Sequence, residues 1–359
     1  MILEKLSLLN FKNIENNSLI FDHCINCFIG DNGIGKTNIL DSIYQLAMTK
    51  SYFGSILSQS IRHNSDFMII DGKFKINDNQ ENIITSLKRG EKRIIIRNGK
   101  KYKKFSDHIG FIPIVMISPY DIDLIQEGSS NRRKFIDHVI SQNNKIYLSQ
   151  LIDYNKVLTQ RNALLKYFKK KNTFDKKVLN IYDDQLSDLS KPIFKTRTQF
   201  IKNFVPVFIK RYNSITQNKE NVDIIFQSQL NNNSLDQLLE KSIEKDRFMQ
   251  FTTCGTHKDD LIFEIDNFPI KKFGSQGQQK SFLISLKLAQ FDFLKNESKS
   301  SPILLFDDIF DKLDNKRVAQ LMNLVKDDEF GQLFISDTDL SRTEKIIKEI
   351  NCSYKIFEL

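Results

Sequence analysis

The sequence predicts an α/β fold in which a mixed sheet with an antiparallel β-layer forms a head and an α-helical lobe is inserted into it. Three observations carry that expectation. The first is Gly30-Asp31-Asn32-Gly33-Ile34-Gly35-Lys36-Thr37-Asn38, which fits the P-loop pattern G-x-x-x-x-G-K-[ST]. It lies between an apolar run (Ile25, Cys27, Phe28, Ile29) and apolar residues at helical spacing (Ile39, Leu40, Ile43, Leu46, Ala47). The second is the apolar run from Ile303 to Phe306, followed directly by Asp307 and Asp308. The third is a change of texture, because from about residue 129 to 250 amphipathic helical patterns replace strands.

Composition sets the class. A chain of 359 residues with 40% apolar and 27% charged content has the balance of a globular protein with one large or two smaller domains. No apolar run approaches the ~20 residues of a membrane span. The start, Met1 to Leu6, lacks a signal peptide's basic-then-apolar layout, so a cytoplasmic protein with no membrane partner is expected. Net charge +9 and pI near 9.1 suit an anionic partner such as nucleic acid. The excess of Lys over Arg in an Asn- and Ile-rich chain also fits an AT-rich genome. Cys24, Cys27, Cys254 and Cys352 are scattered, and Cys24-x-x-Cys27 beside His23 has no second ligand pair at zinc spacing. Buried thiols of a reducing compartment are the expectation.

In chain order, residues 2 to 9 read as a first strand, 11 to 14 as a turn, and Leu19 to Phe21 as the start of a second strand. The P-loop helix runs to about Thr49. Residues 67–76 and 81–97 read as short strands, and Asn98-Gly99 between two basic, apolar-containing segments is a hairpin signal. Phe111 to Ile117 is a buried strand that stops at Ser118-Pro119. Helices follow at 131–141, 145–170, 175–213 and 234–248, with Pro192 and Pro206 expected to break or cap the third. Strand returns at Asp260 to Ile265, then helix at 278–294 and strand at 303–306. The closing order is helix 315–326, strand 332–335, helix 341–350 and strand 353–357. The head is thus expected in two parts, 1–118 and 251–359, with 119–250 as the helical lobe.

Residue types explain the motifs. Glycines let backbone N–H groups curl round an anion, and the helix N-terminus adds partial positive charge. The loop Gly30 to Asn38 is therefore expected to hold the phosphates of ATP, with Lys36 reaching the β- and γ-phosphates and Thr37 ligating Mg²⁺. Asp307, delivered by a buried strand, joins Thr37 as candidate metal ligand, and Asp308 is the candidate general base for an attacking water. Asp308 and Lys36 are the candidate catalytic residues. Ser275-Gln276-Gly277-Gln278 opens a helix as a variant of the Leu-Ser-Gly-Gly-Gln signature of ABC ATPases, where such an anion site serves the ATP of a partner subunit. Asp311-x-Leu313-Asp314 stands where related ATPases carry a D-loop.

The most concentrated positive charge is Lys88, Arg89, Arg93, Arg97, Lys100, Lys101, Lys103 and Lys104 around the Asn-Gly hairpin, with Tyr102 among them. These are the candidate DNA contacts. Lys169–Lys171 and Lys176–Lys177 form a second cluster, and a solvated face is the alternative for both.

With these residues in view, the whole chain resembles the RecF family of bacterial recombination-mediator ATPases. Leu9-Asn-Phe-Lys-Asn13 is similar to that family's opening Phe-Arg-Asn. Ser118-Pro-Tyr-Asp121 with Gly128-x-x-x-Arg132-Arg133-x-Phe135-x-Asp137 is similar to the motif that opens its second lobe, and Gly255-Thr-His-Lys-Asp-Asp260 to its Gly-Pro-His-Arg-Asp-Asp. The resemblance implies an ABC/SMC-type P-loop ATPase head that binds ATP and Mg²⁺. It also implies a head-to-tail homodimer on ATP, binding to single-stranded and gapped duplex DNA, and slow DNA-stimulated hydrolysis. RecO and RecR are the implied partners in loading RecA. There are departures from the family and from ABC ATPases: Tyr120 for Glu, Thr256 for Pro, and Asp308 for the Glu usual in ABC ATPases. Ser336-Asp337-Thr338 replaces a switch histidine, and Gln126 comes late for a Q-loop. An ABC transporter subunit, an SMC-like clamp and a non-catalytic ATP-binding scaffold are the alternative readings.

Overall fold

The strands segregate by direction. In this computed structural model, residues 1–54, 56–217, 220–298, 300–309, 330–348, 350 and 352–359 are described. Ile2–Phe11 (β1), Ile14–Ile20 (β2), Phe67–Ile76 (β4), Asn79–Lys88 (β5), Ile94–Arg97 (β6) and Lys100–Lys101 (β7) form an antiparallel sheet in the order β2-β1-β4-β5-β6-β7. Ile25–Ile29 (β3), Ile114–Ile117 (β8), Ile303–Asp307 (β12), Leu333–Asp337 (β13) and Tyr354–Glu358 (β14) form a parallel sheet in the order β14-β3-β13-β12-β8. Its strands β3, β8, β12 and β13 are buried along their whole length, the pattern of a parallel sheet covered on both faces.

Helix α1 (Lys36–Met48) lies in the core that these two sheets share. Its Ile39, Leu40, Ile43, Leu46 and Ala47 cluster with Leu3, Leu6, Met68, Ile70 and Phe74 of the antiparallel sheet and with Phe28, Met116, Leu305 and Phe334 of the parallel one. Each large apolar side chain so buried contributes about 1.5–3 kcal/mol, so the P-loop's helix is anchored by apolar packing against both sheets. The helix stops at Thr49, which turns left-handed and donates its N–H to the Gln45 carbonyl. The Asn98-Gly99 turn has positive φ at both residues and joins Arg97 to its pair Lys100, as the sequence predicts.

The chain divides into two compact units. One comprises Met1–Ile122, Lys210–Asn218 and Gln276–Leu359; the other comprises Asp123–Ile209 and Lys219–Ser275. The second unit holds Ser129–Asn143 (α2), Lys145–Lys171 (α3), most of Lys176–Thr216 (α4) and Leu235–Met249 (α5). It also holds a three-stranded sheet in which Asp260–Ile265 (β10) pairs with Val222–Gln227 (β9) and Phe268–Pro269 (β11). Gln276–Glu297 (α6) and Leu340–Lys348 (α7) complete the first unit.

Three expectations are corrected. Pro192 and Pro206 do not interrupt α4, which runs unbroken through both. Each proline removes one i→i−4 bond, but Leu179, Leu186, Ile193, Phe200, Phe204, Phe208 and Tyr212 give the helix a continuous buried stripe that holds it together. Strand β9 lies inside the stretch expected to be helical; Val222 and Ile224 face inward and Asp223 and Ile225 outward, a period of two. Cys24 and Cys352 form a disulfide, so they are not free thiols. Each lies just before one of two paired strands, β3 and β14, and their Cα atoms are 6.4 Å apart. Cys27 and Cys254 are free and buried. The segment Asp311-x-Leu313-Asp314 and the helix expected at 315–326 lie outside the described residues. No helix among the described residues is long and apolar enough to cross a membrane.

Candidate functional site

Strand β3 delivers Gly30 to the rim of the parallel sheet, and the loop from Asp31 to Ile34 stands exposed before α1 begins. Gly33 and Gly35 have φ of 88° and 121°, conformations that a side chain resists. A Cβ on Gly35 would also come within 3.0 Å of the Asn13 amide. Lys36 is nearly buried, and its ammonium donates to the carbonyl oxygens of Gly30 (2.6 Å) and Asp31 (3.1 Å). These partners are dipoles rather than charges, so an anion entering the loop would meet a desolvated cation.

Thr37 Oγ1 donates to Asp307 Oδ1 at 2.7 Å, joining the first turn of α1 to the end of β12. Two further hydroxyls complete the setting of Asp307. Ser336 Oγ, at the end of β13, donates to Oδ1 at 3.0 Å, and Ser118 Oγ, just past β8, reaches Oδ2 at 3.3 Å. Burial pushes the Asp307 carboxyl above its usual range; the hydroxyls of Thr37 and Ser336 pull it back, while Asp308 pushes it up again. Asp308 is half-buried with a φ of 45°, and its N–H donates to Ser336 Oγ at 2.9 Å. The structure therefore brings Lys36, Thr37, Asp307 and Asp308 to one rim, where the neighbouring parallel strands β3, β13 and β12 end.

The donor set fits a nucleotide phosphate with its divalent cation. Three features occur together: a loop without Cβ at Gly33, a lysine whose ammonium is held by the Gly30 and Asp31 carbonyls, and a hydroxyl–carboxylate pair. Thr37 and Asp307 would hold the cation, and Gly30 to Asn38 the phosphates.

Asn13 is a contributor that the P-loop pattern does not include. Its Nδ2 donates to the carbonyl oxygens of Ile34 (3.0 Å) and Gly33 (3.4 Å), and its Oδ1 accepts from Asn38 Nδ2 at 2.7 Å. Its neighbour Lys12 pins the β1–β2 turn to α1 through a 2.7 Å ion pair with the buried Asp41. In the sequence, residues 11 to 14 read as a turn, but only the Phe-Lys-Asn likeness marks that turn as part of a motif. Ser118 and Ser336 are likewise visible there only as neighbours of other motifs. The signature residues sit at the start of α6, with Ser275 and Gln276 exposed. Gly277 and Gln278 beyond them are half-buried.

The basic hairpin is only partly as expected. Lys100, Lys101, Lys103 and Lys104 are exposed, as are Lys88 and Arg89. Arg93 points inward instead: it is buried, and its guanidinium donates to the Thr49 carbonyl, with burial lowering its pKa. Alternation leading into β6 accounts for this, since Arg93 falls on the same face as the buried Ile95. Arg97 is committed to a bidentate pair with Glu81 (2.9 and 2.7 Å) and lies over the Phe111 ring. Lys169 to Lys171 occupy the last turn of α3, where cations favour the helix end without any ligand.

In the second unit the two segments singled out by family likeness meet. Arg132 forms a bidentate pair with Asp260 (2.7 and 3.0 Å), and Arg133 donates to the Asp259 carbonyl. Arg197 is buried between Asp259 (2.7 Å) and Asp137 (2.8 Å). The His257 ring bonds with Tyr154 Oη (2.8 Å) and with the Thr252 carbonyl (3.0 Å), and burial lowers its pKa to about 4.

Comparison with known proteins gives one direction. The family model described as the RecF/RecN/SMC N-terminal domain matches residues 2–357. A DNA replication and repair protein RecF from Flavobacterium johnsoniae is 56% identical over 359 residues, covering 100% of both chains. The protein of that name from Phocaeicola vulgatus is 47% identical, covering 99% of this chain and 96% of its own. Among solved structures, the recombination mediator protein RecF with ATP, described as part of the RecFOR pathway, superposes with a TM-score of 0.88 at 30% identity, covering 95% of this chain and 92% of that one. An SMC head bound to the C-terminal winged-helix domain of ScpA superposes at 0.59 with 15% identity, covering 100% and 94%, a likeness of fold alone.

Proposed function

The chain belongs to the RecF family, and from that premise we propose that it is an ATP-switched DNA-binding protein of replication and repair. The observation that carries this reading is the junction of Thr37 with Asp307 beside the buried Lys36, an arrangement suited to MgATP. Its relatives' names supply the setting, DNA replication and repair, and one solved relative holds ATP.

In this reading Gly30 to Asn38 bind the phosphates, Lys36 neutralises their charge, and Thr37 and Asp307 hold Mg²⁺. Bound MgATP supplies the phosphoanhydride whose cleavage ends the active state. Asp308, held by its N–H on Ser336, accepts the proton of the attacking water. Aspartate is one methylene shorter than glutamate, which suits slow turnover. Ser275 to Gln278 of one copy close over the nucleotide of a second, so that ATP joins a homodimer. That dimer binds gapped DNA and single strands through Lys100, Lys101, Lys103 and Lys104, and works in the cytoplasm with RecO and RecR to load RecA.

The test is DNA binding by fluorescence anisotropy with ATP, ADP or no nucleotide. ATP-dependent binding that disappears in Lys36→Met is expected; equal binding in all three conditions contradicts the switch.

A further inference from the structure

Asp307 is set in place from three sides. Two of its hydroxyl partners, Thr37 and Ser336, belong to the P-loop helix and to the strand beside it. The third, Ser118, leads elsewhere. The Ser118 N–H donates to Asp121 Oδ2 at 2.8 Å, which closes the turn from Ser118 to Asp121 on itself. Asp121 is buried and its other oxygen lies 2.8 Å from Lys287 Nζ, an ion pair with both side chains 6% exposed. The same ammonium reaches Tyr52 Oη at 2.9 Å and the Met116 carbonyl at 3.1 Å. Tyr52 donates its own hydroxyl to Asp121, and burial, followed by the Asp121 charge, keeps that hydroxyl protonated.

Lys287 lies on α6, the helix that begins at Gln276 within the signature sequence, about three turns further on. A buried lysine, aspartate and tyrosine carry a desolvation penalty that an apolar trio would not. Their placement ties α6 to the turn that carries Ser118, and that turn to Asp307.

We propose that Lys287 is a positioning residue for the cation site: through Asp121 it fixes the Ser118 turn, and Ser118 fixes the Asp307 carboxylate in the orientation that receives a divalent cation. The proposal rests on the nucleotide-site reading above and deepens it. Lys287 touches neither nucleotide nor metal in this scheme. Its effect reaches the site through one carboxylate and one hydroxyl.

The test is Mn²⁺ binding, followed by electron paramagnetic resonance in the presence of a slowly hydrolysed ATP analogue, alongside binding of the same analogue in EDTA. Lys287→Met with Asp121→Asn removes the ion pair without leaving a lone buried charge. This double variant is expected to bind Mn²⁺ about tenfold more weakly while its metal-free analogue affinity stays within about threefold of wild type. Lys287→Arg, which keeps the charge, is expected to recover most of the loss, which a merely structural role would not single out in the metal arm. Ser118→Ala and Tyr52→Phe report on the same path if the double variant does not fold, each with a smaller loss of Mn²⁺ affinity. Wild-type Mn²⁺ affinity in the double variant, or in both of these when it does not fold, overturns the proposal. A wild-type protein that binds no analogue with or without metal overturns the nucleotide reading itself, and the two failures are told apart by the wild-type arm.

Discussion

Thr37 and Asp307 share a 2.7 Å hydrogen bond although 270 residues of sequence separate them. The separation is bridged by the order of the parallel sheet, in which β12 and β3 both flank β13. The bond places a hydroxyl and a carboxylate at the rim where Lys36 lies. This arrangement, and the charged groups around it, can be tested one residue at a time.

Asp308→Asn removes the proposed base and keeps its shape. ATP turnover is expected to fall by about 10²–10⁴-fold with ATP binding retained. A steady-state phosphate-release assay beside a binding titration checks this; unchanged turnover would remove Asp308 as the base, and ATP binding without any turnover in the wild type would mean that the chain is a non-catalytic ATP-binding scaffold.

Replacing Lys100, Lys101, Lys103 and Lys104 with Gln is expected to reduce the slope of log K against log salt by about three, near 0.7–0.9 for each phosphate no longer neutralised. Arg93→Gln serves as the contrast. That side chain is buried against the Thr49 carbonyl, so the change is expected to lower the melting temperature and leave the salt slope alone. An unchanged slope in the lysine variant removes the hairpin from the DNA surface.

Arg197→Met leaves Asp137 and the fully buried Asp259 without their shared cation. Breaking a buried pair from one side costs about 3–5 kcal/mol, so urea unfolding of this variant should show a loss of that size. A loss below about 1 kcal/mol would place Arg197 among surface ion pairs.

His257 sets a pH dependence. Its pKa is lowered to about 4 in the fold, against about 6.5 in an unfolded chain, so between these values the unfolded state binds the extra proton. Its contribution to stability is therefore whole above about pH 6.5, declines as pH falls toward about 4, and levels off below. Chemical denaturation across this window should show a shallower decline in His257→Gln than in wild type; equal slopes would mean that His257 is not buried neutral.

Much of this architecture is legible in the sequence because each part rests on a local pattern. Gly30 to Thr37 and Ile303 to Asp308 are contiguous, and a strand's hydrophobic run followed by a polar tip needs no knowledge of its neighbours. The Asn98-Gly99 hairpin is legible for the same reason. What is hidden depends on pairing across the chain. Asn13 matters only because the Lys12–Asp41 ion pair brings its turn to Gly33 and Ile34. Ser118 and Ser336 matter only because β8, β12 and β13 end side by side. Arg93 reads as surface charge because charge runs usually are, and only its register before β6 turns it inward. The Cys24–Cys352 disulfide depends on β3 pairing with β14, which no spacing in the sequence indicates. The prolines of α4 mislead because local propensity argues against a helix that a long buried stripe maintains.

The central claim is that ATP joins two copies of the chain, each supplying half of the closed site. Sedimentation velocity measures this directly on wild type and Lys36→Met, with ATP, ADP and no nucleotide, in the presence and absence of DNA. The account predicts a 42.0 kDa monomer without nucleotide, a species of twice that mass with ATP, and no such species in Lys36→Met. A wild-type protein that stays monomeric under every condition would contradict it.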